Sequence, residues 1–134
     1  AFDDVIITLQ KLKSEHRIIG ILSNLDQDID QVVESLSLSD YIDFAISSLQ
    51  VGVSKPDPLF FQAAIQRANV APAEVIHIGD QYKSDVQGAR GASIYPVLIN
   101  RTGHSLAPDD CHQIESLGGL FPIIREFESN QPGR

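Results

Sequence analysis

The stretch VIHIGDQYKSDVQGAR, residues 75–90, decides how this chain is read. A short apolar run, 75–78, breaks at Gly79-Asp80, and a second carboxylate, Asp85, follows five residues on. A continuous apolar run bounded by turn chemistry predicts a strand covered on both faces. Residues 83–92 then read as a helix. Acids just past a buried strand contribute little to folding. They are well placed to hold a ligand, because ligands of open parallel sheets bind beyond the carboxyl ends of the strands.

The same alternation runs outward in both directions. Upstream lies GVSKPDPLFFQAAIQRANV, residues 52–70. Asp57 reads as an N-cap and Pro58 as a first-turn proline, and Phe60, Ala63, Ala64, Arg67 and Ala68 follow helical spacing. Residues 41–47 contain a short strand, DFAIS. Residues 27–37 read as a helix with Ile29, Val32, Val33 and Leu36 on one side. Residues 18–22 form another apolar strand, closed by Ser23-Asn24, and residues 3–14 an amphipathic helix carrying Val5, Ile6, Leu9 and Leu12 on one face. Downstream, 96–99 is a fourth strand. The tail from Gly103 is loop-rich, with a short helix in LFPIIREFE. Strand and helix alternating at this length predict an α/β fold: a doubly wound, mainly parallel sheet with helices on both faces. The expected organisation is one domain over 1–134, with the motif-bearing part at 1–101 and a C-terminal loop and short helix at 102–134.

Composition narrows the function classes. The 134 residues are 43% hydrophobic, enough for a core, and the net charge of −8 argues against a nucleic-acid surface. Cys111 is the only cysteine, which leaves no disulfide framework and no thiolate zinc site. No apolar run approaches the roughly 20 residues that span a bilayer, and the N-terminus lacks a basic-then-apolar leader. A soluble cytoplasmic protein without membrane or nucleic-acid partners is the expectation. No G-x-G-x-x-G and no G-x-x-x-x-G-K-[ST] is present, which disfavours a nucleotide-binding or receiver-like reading of the same fold.

Chemistry-bearing residues gather where such a sheet binds ligands. Ser23 and Asn24 end one strand, Lys55 follows the next, and Asp80 and Asp85 follow a third. A hydroxyl and an ammonium suit phosphate oxygens, and paired carboxylates suit Mg²⁺, which takes oxygen ligands. Each residue also has a structural reading. Ser23 can cap the following helix, Lys55 can be a loop lysine, Gly79-Asp80 can be turn chemistry, and Asp85 can satisfy a helix dipole. The combination raises the functional reading above these.

In combination the residues resemble the core domain of the haloacid dehalogenase superfamily, in its branch of magnesium-dependent phosphatases. IIGILSN resembles the second motif, a Ser or Thr closing an apolar strand. GVSKPDPLFF resembles the third, and GDQYKSD the fourth, G-D-x-x-x-x-D. The resemblance covers residues 1 to about 101. It implies that Ser23, Asn24 and Lys55 hold the phosphoryl group of a small phosphorylated substrate, that Asp80 binds Mg²⁺, and that Asp85 supports the metal. Ser23, Lys55 and Asp80 are then the catalytic set. The first motif, D-x-D-x-T/V, whose first Asp forms an aspartyl-phosphate, is missing. The nearest run, Asp26-Gln27-Asp28, lies on the same loop as Ser23 and reads as a helix start; nor does it form a calcium loop, since Gln31 replaces the required glycine. Ser93 stands where the family carries glycine before its fourth strand.

The resemblance further implies that the chain begins just after the mobile cap, as a fragment that is inactive by itself. The absent first strand would lie between the strands at 18–22 and 75–78, leaving each an open edge for the missing segment or a second copy of the chain. The rival reading is a non-catalytic binding or scaffolding module that keeps the fold without the first motif. The metal-free dehalogenases of the same superfamily fit less well, having no use for the paired Asp80 and Asp85.

Overall fold

The computed structural model describes residues 3–24, 34, 38–101, 108 and 110–131. Apart from Glu34, which is helical, the helix expected at 27–37 lies outside the described residues, as does the run Asp26-Gln27-Asp28. In chain order the elements are α1 (Asp3–Ser14), β1 (Gly20–Ser23), β2 (Phe44–Ser47), α2 (Ser48–Val51), α3 (Pro58–Ala68), β3 (Ile76–Gly79), a π-helical turn (Tyr82–Gln87), α4 (Gly88–Gly91), β4 (Tyr95–Ile99), β5 (His112–Ile114) and α5 (Leu120–Ser129).

All strand pairs are parallel, as the apolar runs predict. β1 pairs with β2, with Ser23 opposite Ser47; β3 pairs with β4, and β4 with β5. Helices cover both faces. On one, Leu12 of α1 and Leu120, Ile123 and Ile124 of α5 pack with Val97 and Ile114 and with the flanking Ile76 and Ile78. On the other, Phe61 of α3 joins Ala89, Ala92 and Ile94, with Leu22 and Val75 packed against them. This two-sided burial is why the strands read as continuous apolar runs. Asp57 caps α3 as expected, its Oδ1 accepting from the Leu59 N–H at 2.9 Å, with Pro58 in the first turn.

The described strands form two sheets, β1-β2 and β3-β4-β5. β1 and β3 do not pair. Between their open edges lies a cleft of about 750 Å³, lined by Ile19, Ile21 and Leu22 on one side and by Val75, Ile76 and Ile78 on the other.

Three local expectations are corrected, and the buried face of α1 is extended. The strand expected at 18–22 runs from Gly20 to Ser23, and Ile18, 55% exposed, lies outside the ladder. In α1 the expected face of Val5, Ile6, Leu9 and Leu12 turns inward with Thr8 added to it, and Ile7, off that face, is 66% exposed. The helix expected at 83–92 opens as a π turn, a geometry no residue pattern marks and one frequent at functional sites. The tail holds a strand that was not expected: β5 is three residues long, too short for periodicity to show, and exists through its pairing with β4.

Candidate functional site

A chain of contacts links the end of β1, the loop before α3 and the turn after β3. Asn24, just past β1, grips the backbone of Lys55: its Oδ1 accepts from the Lys55 N–H at 2.9 Å and its Nδ2 donates to the Lys55 carbonyl at 3.2 Å. Residue 55 lies in the loop before α3, ahead of a cis bond to Pro56. Its ammonium donates to Oδ1 of Asp85 at 2.7 Å. Asp85 sits in the π turn after β3 with only 4% of its side chain exposed.

The carboxylate of Asp85 folds back over the end of β3. A Cβ at residue 79 would lie 2.0 Å from Asp85 Cγ, so only glycine leaves room there. This is the physical content of the Gly in GDQYKSD. Oδ2 of Asp85 accepts the Gln81 N–H at 3.1 Å, while the Asp85 N–H donates to the Gln81 carbonyl at 2.8 Å. Oδ1 accepts a second bond, from His77 Nε2 at 2.9 Å, the donor role following from the acceptor-only carboxylate. Burial pushes the Asp85 carboxyl up. The hydrogen bonds from His77 and Lys55, with the Lys55 charge, outweigh burial and hold it at about 2. Asp85 is therefore ionised throughout the physiological range.

The structure brings Asn24, Lys55 and Asp85 into direct contact and sets Asp80 one residue beyond the glycine under Asp85. Asp80 is exposed and, among the described residues, its carboxylate has no hydrogen-bond partner. Ser23 is half-buried at the end of β1, and the start of the helix it could cap falls outside the described residues. Asn24, expected to contact phosphate, has its acceptor and one N–H taken by Lys55, which leaves it one N–H. Lys55 uses one of its three donors on Asp85.

The donor chemistry fits Mg²⁺, which binds through one or two carboxylates, substrate oxygens and water. Asp80 offers an exposed carboxylate, unpartnered among the described residues. Asp85 offers little more than support, since Oδ1 carries two donors and Oδ2 one. Among the described residues no group of three His, Cys, Asp or Glu side chains converges as a metal site. Residues 1–93 match the haloacid dehalogenase-like hydrolase family.

The chain belongs to the haloacid dehalogenase-like hydrolase family. It is 30% identical over 132 residues to the mouse haloacid dehalogenase-like hydrolase domain-containing protein 3, covering 94% of this chain and 52% of that protein. It is 34% identical over 129 residues to (S)-2-haloacid dehalogenase 4A of Burkholderia cepacia, covering 92% and 55%. Among solved structures, a HAD phosphatase from Thermococcus onnurineus superimposes with a TM-score of 0.86 at 29% identity, over 92% of this chain and 58% of that one. The chain thus spans about half the length of the curated relatives it matches.

His77 is the site residue that the sequence reading missed. Its signal was present: a histidine inside an otherwise apolar strand, VIHIG, in a position that burial makes expensive unless a partner waits there.

Proposed function

We propose that this haloacid dehalogenase-like hydrolase is a Mg²⁺-dependent phosphatase acting on a small phosphorylated substrate in the cytoplasm. The observation that supports the reading is the chain of contacts from Asn24 through Lys55 to Asp85, with the exposed Asp80 carboxylate at the end of β3. Lys55 keeps two N–H donors for phosphoryl oxygens, Ser23 supplies a hydroxyl from the neighbouring strand end, and Asn24 fixes the lysine's backbone. Asp80 would hold Mg²⁺, which when bound offsets phosphoryl charge. Asp85 keeps the ammonium in place and stays ionised. The nucleophilic carboxylate belongs to a first motif that this sequence does not contain.

We further propose that the segment bearing that motif, or a second copy of the chain, supplies a strand to the cleft between β1 and β3. Two open parallel edges facing each other across apolar walls suit an extended apolar segment. No helix among the described residues is long and apolar enough to cross a membrane.

The test is an assay with p-nitrophenyl phosphate and Mg²⁺. The 134-residue chain alone is expected to release nothing above a blank. The same chain joined to a first-motif segment is expected to turn over, and to stop on Asp80→Asn. Turnover by the chain alone would contradict this. Metal-independent release of halide from a 2-haloacid by the joined protein would move it to the dehalogenases instead. A joined protein inert to both substrate classes would favour the binding module.

A further inference from the structure

Two lysine–aspartate pairs in this molecule have different geometry. Lys13 Nζ reaches both oxygens of Asp43, at 2.9 and 2.8 Å, the arrangement that lets an ammonium share its charge over a whole carboxylate. Lys55 Nζ engages one oxygen of Asp85 only, at 2.7 Å. The difference lies in what else holds Asp85. A backbone N–H sits on Oδ2 in both pairs, from Ile19 on Asp43 and from Gln81 on Asp85, so it is not what differs; His77 Nε2, which takes the second lone pair of the same Oδ1 that Lys55 uses, is. The imidazole is itself fixed. Its side chain is 13% exposed, and its ring stands edge-on to Phe61, centroids 5.0 Å apart at 88°, while Phe61 is fully buried. A ring locked by packing is a rigid donor, and it sets the plane of the carboxylate it bonds.

We infer that His77 is a positioning residue for Lys55: through Asp85 it confines the ammonium to one oxygen and keeps two of its N–H bonds available for phosphoryl oxygens. The inference rests on the phosphatase reading for what Lys55 binds, but not for where Lys55 sits. Without the His77 donor, Oδ1 has a vacant lone pair, the carboxylate is free to turn, and Lys55 is free to settle across both oxygens as Lys13 does. An ammonium spread over two oxygens spends a second donor on its own partner.

The experiment uses the intact protein with His77→Phe, which keeps a planar ring and loses the donor, and His77→Gln, which restores an N–H near the Nε2 position. Crystal structures of both variants report the Lys55–Asp85 contact, and a long-range ¹H–¹⁵N spectrum of the wild-type ring reports its proton. Calorimetry with inorganic phosphate and Mg²⁺, well below each melting temperature, reports the consequence. The expected results are a proton on Nε2, a two-oxygen contact in His77→Phe, phosphate binding about 10-fold weaker, and recovery in His77→Gln; one hydrogen bond to a charged group is of that size. An unchanged one-oxygen contact in His77→Phe overturns the inference. So does a lowered melting temperature with phosphate affinity unchanged, which is a purely structural role. If wild-type protein binds no phosphate and Lys55→Ala changes nothing, the phosphatase reading fails, and the crystal contact alone then decides the role of His77.

Discussion

Gly79 and Asp85 show how closely one residue's chemistry depends on another's shape. Because a Cβ at 79 would overlap Asp85 Cγ, Gly79→Ala must push the carboxylate off its three donors or shift the end of β3. Overpacking of this kind costs about 1–3 kcal/mol. A fall in the urea midpoint of that order, together with weakened phosphate binding, is the expected outcome, and equal stability in both proteins would show that Asp85 moves freely. Asp85 also sets a pH dependence. Its carboxyl is held at about 2, below its ordinary value. A depressed carboxyl stabilises the fold above the unfolded value near 4, and loses that contribution as pH falls from about 4 to about 2. Wild-type protein is expected to lose about 1–2 kcal/mol more than Asp85→Asn between pH 5 and pH 2, measured by urea unfolding. Lys55 contributes to stability as well as to the site. Its partner is a buried carboxylate, so Lys55→Ala is expected to cost about 2–3 kcal/mol of stability beside its cost in activity, with His77 and Gln81 limiting the loss. A variant that loses stability but turns over normally would reduce Lys55 to a structural residue.

The turn between α4 and β4 bears on the elements it joins. Ser93 adopts φ 64°, the left-handed region in which a Cβ is crowded, and its N–H and that of Ile94 close the end of α4 on the Arg90 and Ala89 carbonyls. Glycine is the residue that such a helix end favours. Ser93 therefore keeps, at a cost, the turn for which the family carries glycine. Ser93→Gly is expected to raise stability by about 0.5–1 kcal/mol, the steric relief outweighing the entropy of an added glycine. Thermal unfolding checks this, and a lower melting temperature in the variant would mean that the serine side chain has a compensating role.

At the scale of the whole molecule, the described strands form two sheets, with β1 and β3 facing each other where the resemblance sets an absent strand. Each facing edge, β1 and β3, presents unpaired backbone groups beside apolar side chains. A buried unsatisfied group costs about 1–3 kcal/mol, against a total stability of about 5–15 kcal/mol. Open apolar edges also pair with other chains. The isolated 134-residue chain is therefore expected to aggregate, to associate with itself, or to need a strand added in the cleft. Size-exclusion chromatography with mass analysis tests this. A monodisperse monomer with a cooperative melt and no bound peptide would show that the two edges close on each other in solution.

Much of this was determined by sequence alone. The parallel α/β fold, the N-cap at Asp57, and the approximate spans of β2, β3, β4, α1, α3 and α5 follow from apolar runs and punctuation, because burial and capping act within one element. The rim residues were legible as types at strand ends. Their partnerships were not. Asn24 and Lys55 are 31 residues apart, and Lys55 and Asp85 are 30. Only the folded chain decides which lone pair of Asp85 each donor takes, which glycine must lie beneath it, or that His77 faces the site. The π turn and β5 belong with these, whereas the open edges of β1 and β3 were implied by the family resemblance and not by periodicity. β5 depends on pairing with the distant β4, and periodicity reports which face of an element is buried without reporting what lies against it.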